Sequence, residues 1–449
     1  MKHINPTNEQ TTSIETFPIN DISNLLDDLN SRSFEWKYLN IAERVNILRA
    51  LPTLIENEEE NLIHLAAQEM GKPVAIGRIE IQRTIEESIF YLDHAEEFLK
   101  NEPLDEDNGY IEFQGLGTVA VISPWNFPFM LPLRGILPAL LAGNAVVFKP
   151  SELTPKCGKA LTDLFYRCNG TLSKCLKLVI GGKEHGSTIV QGKIHAVSFT
   201  GSTAVGKHIA KECANNLKKM TLELGGLDPA IVLKDADLDK TAQDILAANI
   251  LNSGQVCNSI KRVFVQKEIA IDFINKIKNL SENVTCGNPT DDVQMGPIVS
   301  ETQLKRIIDF VADAKSMGAT ILTGGERIER SGYFYPSTIV TNVNNKMKLM
   351  NDEAFGPILP IQIFDDIEDA IELSNSTKYG LTASIWTKDL AKGKEISKRL
   401  DFGIVSINNH KPGKPGYPWG GTKESGIGRM KTKEGMRELT NTKLVKYDS

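Results

Sequence analysis

The sequence predicts an α/β protein of two domains built on parallel sheets, entered through a helical segment. Three observations carry that expectation. Across residues 117–226, short apolar runs rich in β-branched residues alternate with longer amphipathic stretches, the pattern of a parallel sheet with helices on both faces. A second alternating set follows over residues 227–408. At 449 residues and 41% hydrophobic content, the chain is too long for one ordinary domain and able to bury a large core.

In chain order, the opening residues Met1 to Pro6 are polar and lack the apolar segment of a secretion signal. Over residues 22–99, Ile41, Val45, Ile47, Leu48, Leu51 and Leu54 recur at helical spacing among charges, which predicts helices packed on something larger. Residues 103–107 form an acidic, proline-containing break, and residues 110–114 then alternate as a strand. Residues 119–122, 145–148, 176–180 and 196–199 read as strands; 131–142, 151–165 and a segment opened by Ser202 read as helices. In the second set, residues 260–265 and 358–364 read as strands. The longest apolar run, residues 135–148, is interrupted by Pro138 and Asn144 and is too short to span a bilayer.

A net charge of −6 removes any global attraction to nucleic acid. The six cysteines, Cys157, Cys168, Cys175, Cys213, Cys257 and Cys286, include no CxxC and have no companion histidine cluster. Neither a disulfide framework nor a metal site is expected, and the compartment reads as reducing. The expectation is a soluble cytoplasmic protein with no nucleic-acid or membrane partner.

One stretch concentrates the chemistry. Asn252-Ser253-Gly254-Gln255-Val256-Cys257 places small and flexible residues just upstream of a thiol that needs room to attack. Alone, such a cysteine reads as core packing. It keeps company, however, with Pro124-Trp125-Asn126-Phe127-Pro128, Phe148-Lys149-Pro150-Ser151-Glu152, Phe199-Thr200-Gly201-Ser202-Thr203, Leu222-Glu223-Leu224-Gly225-Gly226, Glu353-Ala354-Phe355-Gly356-Pro357 and Pro418-Trp419-Gly420-Gly421. In order and spacing these motifs resemble the aldehyde dehydrogenase superfamily over nearly the whole chain.

The resemblance implies a Rossmann-like nucleotide-binding domain at residues 1–104 and 118–225, a second α/β catalytic domain at 226–425, and a small β oligomerisation element at 105–117 and 435–449. The strands near residues 110 and 440 would join subunits in a homodimer or homotetramer, an ordinary surface hairpin being the alternative. Residues 4–7 resemble the family's Asn-Pro segment, so the strand pair preceding it would be largely missing. Cys257 matches the nucleophile, Asn126 the oxyanion donor and Glu223 the base that activates water.

NAD is the expected cofactor, with NADP as the alternative. Gly201 to Gly206 is a GxxxxG and not the usual GxGxxG, but it follows a strand and opens a helix, where free N–H groups favour pyrophosphate. Gly201, Ser202 and Gly206 are therefore expected at the cofactor, with Trp125. Lys149 and Glu152 match adenosine-ribose contacts, and a carboxylate there accepts from the 2′-hydroxyl and repels a 2′-phosphate. Gly182 fits near the adenosine, and Glu353 and Phe355 near the nicotinamide ribose and ring.

The substrate is an aldehyde, a semialdehyde among the candidates. Phe127, Met130 and Leu131 are expected to line an apolar tunnel, with Lys411, Lys414 and Tyr417 as loop residues near its mouth. Arg134 stands where semialdehyde-oxidising relatives present an arginine to the distal carboxylate. The second arginine of a succinate-semialdehyde site is here Leu251, and Ser259 replaces a paired cysteine, so a dedicated site of that kind is not expected. Other departures are Trp419 for Phe, Met430 for Glu, and Leu227-Asp228 for Lys-Ser/Asn. A CoA-acylating semialdehyde dehydrogenase is the enzymatic alternative, and Glu223 speaks against it. A catalytically silent structural or binding member is the other, and it would be expected to have lost Cys257, Asn126 or Glu223.

Overall fold

A computed structural model of the chain describes residues 1–105, 108–411 and 413–448. Glu106, Asp107 and Ser449, which fall in the expected oligomerisation segments, lie outside the described residues.

The helical opening is present as Ile22–Tyr38, Ile41–Leu48, Leu51–Asn57, Glu59–Met70 and Val74–Leu99. Asn40 starts the second of these with a capping box, its side chain accepting from the backbone of Glu43 while the Glu43 carboxylate accepts from the backbone of Asn40. The apolar residues read from spacing face inward: Val45, Leu48 and Leu51 are buried against the first sheet's core. Each such burial contributes about 1.5–3 kcal/mol.

That sheet has six strands, in the order Gly426–Ile427, Lys219–Glu223, Ala196–Thr200, Thr118–Ile122, Ala145–Lys149 and Leu176–Leu178. All neighbours are parallel except the short first one. Strands buried on both faces need no polar alternation, which is why Ala145–Lys149 is buried throughout and legible as an apolar run. From Thr118–Ile122 the chain fills one side of the sheet and then crosses to the other with Ala196–Thr200. This reversal is a topological switch point, and the loops after Ile122 and Thr200 open a crevice there.

The expected helix over 151–165 begins only at Pro155 and runs to Cys168. Proline fits the first turn because its missing N–H is an orphan donor there anyway, and it disfavours helical backbone in the residue before it. Residues 151–154 are thereby left as a turn that presents Glu152.

The second sheet has seven strands: Thr320–Thr323, Thr338–Thr341, Ile358–Phe364, Ile260–Gln266, Asp228–Val232, Thr382–Trp386 and Ile404–Ile407. All neighbours are parallel except the first pair. Glu223 ends a strand of the first sheet, while Cys257, Glu353 and Tyr379 lie just before strands of the second.

Three small antiparallel pieces complete the chain. Lys2–Ile4 pairs with Thr11–Ser13 around the Asn5-Pro6 turn. Tyr379–Gly380 pairs with Thr422–Lys423. Thr440–Lys446 pairs along its whole length with Gly109–Gly115, which Glu102–Pro103 flanks on the other side. Among the described residues no helix is long and apolar enough to cross a membrane, and no cluster of His, Cys, Asp or Glu is suited to a metal ion.

Candidate active site

A cleft of about 610 Å³ opens where the carboxyl ends of the first sheet meet the amino ends of the second. Cys257, Asn126 and Glu223 all line it, brought together from three separate segments.

The Cys257 loop is held in an unusual backbone. Asn252, Ser253 and Gly254 have consecutive positive φ of 52°, 58° and 72°. For the two non-glycine residues this costs on the order of 1–3 kcal/mol each, so surrounding bonds must hold them. Asn252 Nδ2 donates to the Asn126 carbonyl at 3.1 Å, and Ser253 Oγ donates to the Gly296 carbonyl at 2.9 Å. At Gly254 a Cβ would overlap the backbone of Gly356. Gln255 locks the loop further, accepting from Val299 N at 2.9 Å and donating to the Asn252 carbonyl at 3.1 Å.

Asn126 is 3% exposed and donates from Nδ2 to the Gln255 carbonyl at 3.0 Å. That bond fixes which end of the amide is nitrogen and leaves a second N–H on the same atom. Its Oδ1 has no partner. The loop behind it is pinned by Glu80, which accepts from Phe129 N at 2.9 Å and Met130 N at 3.2 Å and is itself paired with the buried Lys72.

Glu223 is 4% exposed, and its Oε1 has no hydrogen-bond partner. Burial raises its carboxyl well above the usual range, opposed by the charges of Arg134 and Arg429. Burial also pushes the Cys257 thiol up to about 12, with Lys261 pulling it down and Glu353, Asp228 and Glu223 adding to the rise. A buried carboxyl with a raised pKa, in one cleft with a thiol and an amide donor, suits nucleophilic attack on a carbonyl followed by activation of water.

The residues expected at a dinucleotide divide between two clefts. Trp125, Gly201, Ser202, Glu353 and Phe355 line the first. Trp125 and Phe355 stand edge to face, with centroids 5.5 Å apart and planes at 86°. Ser202 caps the helix Thr203–Asn215, whose first residues open into the cleft. A Cβ on Gly225 would overlap the Glu353 carboxylate. Glu152 and Gly182 line a second cleft of about 740 Å³. Lys149 lines neither; it is 5% exposed, donates to the Pro150 carbonyl at 3.1 Å and lies 3.8 Å from the Glu152 carboxylate.

Two of the expected residues make other contacts. Gly206 also lines neither cleft: it is buried beneath Leu224, where a Cβ would overlap that side chain. Arg134 does not present an open guanidinium to the substrate. Its Nε and Nη2 grip both oxygens of Glu87, at 2.7 and 2.6 Å, in a fully buried pair. Burial lowers the basicity of this guanidinium, but Glu87 more than restores it. Phe127, Met130 and Leu131 form an apolar cluster with Val256, and of the three Leu131 reaches the first cleft.

Several residues at the site escaped the sequence reading. Lys261 Nζ donates to the carbonyls of Val256 and Cys257 at 2.9 and 2.6 Å and lies 3.1 Å from the Glu353 carboxylate. Gln303 donates to the carbonyls of Ala354 and Phe355 at 2.8 and 3.0 Å, and Arg306 donates to that of Glu353 at 2.7 Å. Glu80 and Glu87 lie on the buried face of Val74–Leu99 at helical spacing with Thr84 and Tyr91, and charges on an apolar face were the available signal.

Comparison with known proteins identifies a family. The model of the aldehyde dehydrogenase family matches residues 1–445. The chain is 36% identical to lactaldehyde dehydrogenase of Escherichia coli (strain K12), over 99% of this chain and 95% of that protein. It is 31% identical to succinate-semialdehyde dehydrogenase [NADP(+)] 1 of Mycobacterium bovis, over 98% of each. The crystal structure of betaine aldehyde dehydrogenase from Staphylococcus aureus in complex with NAD+ superposes with a TM-score of 0.94 at 31% identity, covering 99% of this chain and 90% of that one.

Proposed function

The chain belongs to the aldehyde dehydrogenase family and oxidises an aldehyde to the carboxylic acid with a nicotinamide dinucleotide, and we propose that it does so through a covalent intermediate on Cys257. Asn126 holds the oxyanion, Glu223 activates water, and NAD is preferred over NADP. The carrying observation is the convergence of those three side chains on one cleft beside a helix N-terminus.

The residues present fit such a cofactor. Gly201, Ser202 and the start of Thr203–Asn215 would offer free N–H groups to the pyrophosphate, and Trp125, Glu353 and Phe355 would hold the nicotinamide half. Glu152, paired with Lys149, and Gly182 hold the adenosine half. When bound, the dinucleotide takes up the hydride. The chain does the rest. Cys257 gives its proton to solvent in the cleft and Sγ bonds to the carbonyl carbon, and the charge that appears on oxygen meets the second Nδ2 hydrogen of Asn126 and the backbone N–H of Cys257. After oxidation a thioester remains on Sγ. Glu223 takes a proton from water, the oxygen attacks the thioester carbon, and the carbon–sulfur bond breaks to release the acid.

Asn126→Ala is expected to lower kcat by about 10²–10³, the usual cost of one oxyanion donor, with little change in dinucleotide affinity. Steady-state rates and a binding titration check this.

Glu152 supports the cofactor preference. A 2′-phosphate beside its carboxylate meets like charge, which predicts kcat/KM about tenfold or more higher with NAD. The family alone does not decide this, since the M. bovis relative is named for NADP. The test is reduced-nicotinamide formation across aliphatic, aromatic, hydroxy and carboxylate-bearing aldehydes, each with NAD and NADP. Acid formed without added CoA supports Glu223 as the water-activating base. Acyl transfer that requires CoA overturns it, and equal rates with NADP overturn the preference. The apolar wall and the engaged Arg134 favour uncharged aldehydes over semialdehydes.

We assign residues 1–104 and 118–225 to cofactor binding and 226–425 to the nucleophile. Pairing of Gly426–Ile427 back onto the first sheet supports ending the second domain at 425. Thr440–Lys446 carries exposed side chains at an edge of its sheet, which supports pairing with a second copy in a homodimer or homotetramer. The free cysteines suit a reducing cytoplasm.

A further inference from the structure

Lys261 belongs to neither the expected site nor the steps above, yet it lies under the nucleophile. It is the second residue of the strand Ile260–Gln266, with a side chain only 5% exposed. Its ammonium donates to the carbonyl of Cys257 at 2.6 Å and of Val256 at 2.9 Å, and stands 3.1 Å from Glu353 Oε1. A buried lysine that converges on the nucleophile's own backbone and on a carboxylate of the cofactor cleft ties the two halves of the site together.

The charges facing Cys257 make the placement matter. Glu223 on the first sheet, Asp228 on the neighbouring strand and Glu353 on the loop before Ile358–Phe364 all disfavour a thiolate. Arg134 faces it from the helix Met130–Leu141, but both oxygens of Glu87 hold that guanidinium. His410 is half-buried and donates to the Asn258 carbonyl at 2.7 Å; desolvation lowers its pKa to about 4, so it is neutral. At Cys257 itself, the charge of Lys261 favours the thiolate against those three carboxylates.

We propose that Lys261 is a positioning residue of the acyl-transfer centre: its ammonium fixes the backbone of Cys257 and supplies the positive charge against which the thiolate forms. The inference rests on Cys257 being the nucleophile. Glu353 shares the same ammonium, so loss of that carboxylate leaves more of the charge to the thiolate.

The test is the pH dependence of Cys257 alkylation by iodoacetamide, followed by mass spectrometry of the Cys257 peptide from the full chain. In this reaction the thiolate displaces iodide and forms the carbon–sulfur bond, so the rate follows the thiolate fraction. Lys261→Gln keeps a donor for the carbonyls but removes the charge. Its midpoint is expected to rise by about one pH unit or more, about tenfold slower labelling at a fixed pH below the midpoint. Lys261→Arg keeps the charge and is expected to stay near wild type, and Glu353→Gln is expected to move the midpoint down. A wild-type midpoint in Lys261→Gln overturns the proposal. If neither lysine variant folds, an unmoved midpoint in Glu353→Gln overturns it. Labelling of wild-type Cys257 without loss of aldehyde oxidation overturns instead the reading of Cys257 as nucleophile.

Discussion

Replacing Cys257 with alanine is expected to abolish aldehyde oxidation, by a factor on the order of 10⁴ or more, while dinucleotide binding survives. Cys257 is the one cysteine that lines the cleft. Cys157, Cys175 and Cys213 are buried elsewhere, and the half-buried Cys168 and Cys286 are directed at the carbonyls of Leu164 and Gly296. No second thiol stands near enough to substitute. Removing one sulfur from a partly exposed position leaves the loop's own bonds in place, since these run through Asn252, Ser253 and Gln255. The stability cost is therefore small, about 1 kcal/mol or less. Steady-state turnover and a fluorescence titration exploiting Trp125 check the two halves. Residual turnover above about a hundredth of wild type would count against covalent catalysis at this thiol.

Much of the fold was legible because buried parallel strands are written as apolar runs. Ala145–Lys149 and Ile260–Gln266 were visible on that ground, and Ser202 announced the helix it caps. The order of strands was not, because the side of Thr118–Ile122 on which Ala196–Thr200 docks is settled by packing between distant residues. Residue types at the site were legible as motifs, but orientation was not. Gly206 shares a motif with Gly201 yet turns its face to Leu224, and Arg134 is consumed by a glutamate from a helix read only as amphipathic. Lys261 escaped for the opposite reason: it opens a strand whose apolar character was the signal being followed, and only the structure shows that its ammonium folds back beneath Cys257.

Glu223→Gln is expected to separate the two halves of the reaction. Oxidation needs Cys257 and the oxyanion donors, and an amide at 223 leaves those in place; hydrolysis needs a group that accepts a proton from water, and an amide does not. The first turnover should therefore release about one equivalent of reduced nicotinamide per site, after which the steady state falls by about 10²–10⁴ and thioester accumulates on Cys257. The sign of the pH dependence follows from burial. A carboxyl acts as a base only once it has lost its proton, and burial raises the pKa of Glu223 well above the usual value, with Arg134 and Arg429 opposing the rise. Wild-type hydrolysis should accordingly climb as pH rises through that elevated pKa and level off above it, and the climb should vanish in the glutamine variant. Intact-protein mass spectrometry after mixing with aldehyde and NAD reads the thioester directly. A full steady state with no accumulated adduct, in a variant that still gives the first burst, would show that another group activates the water.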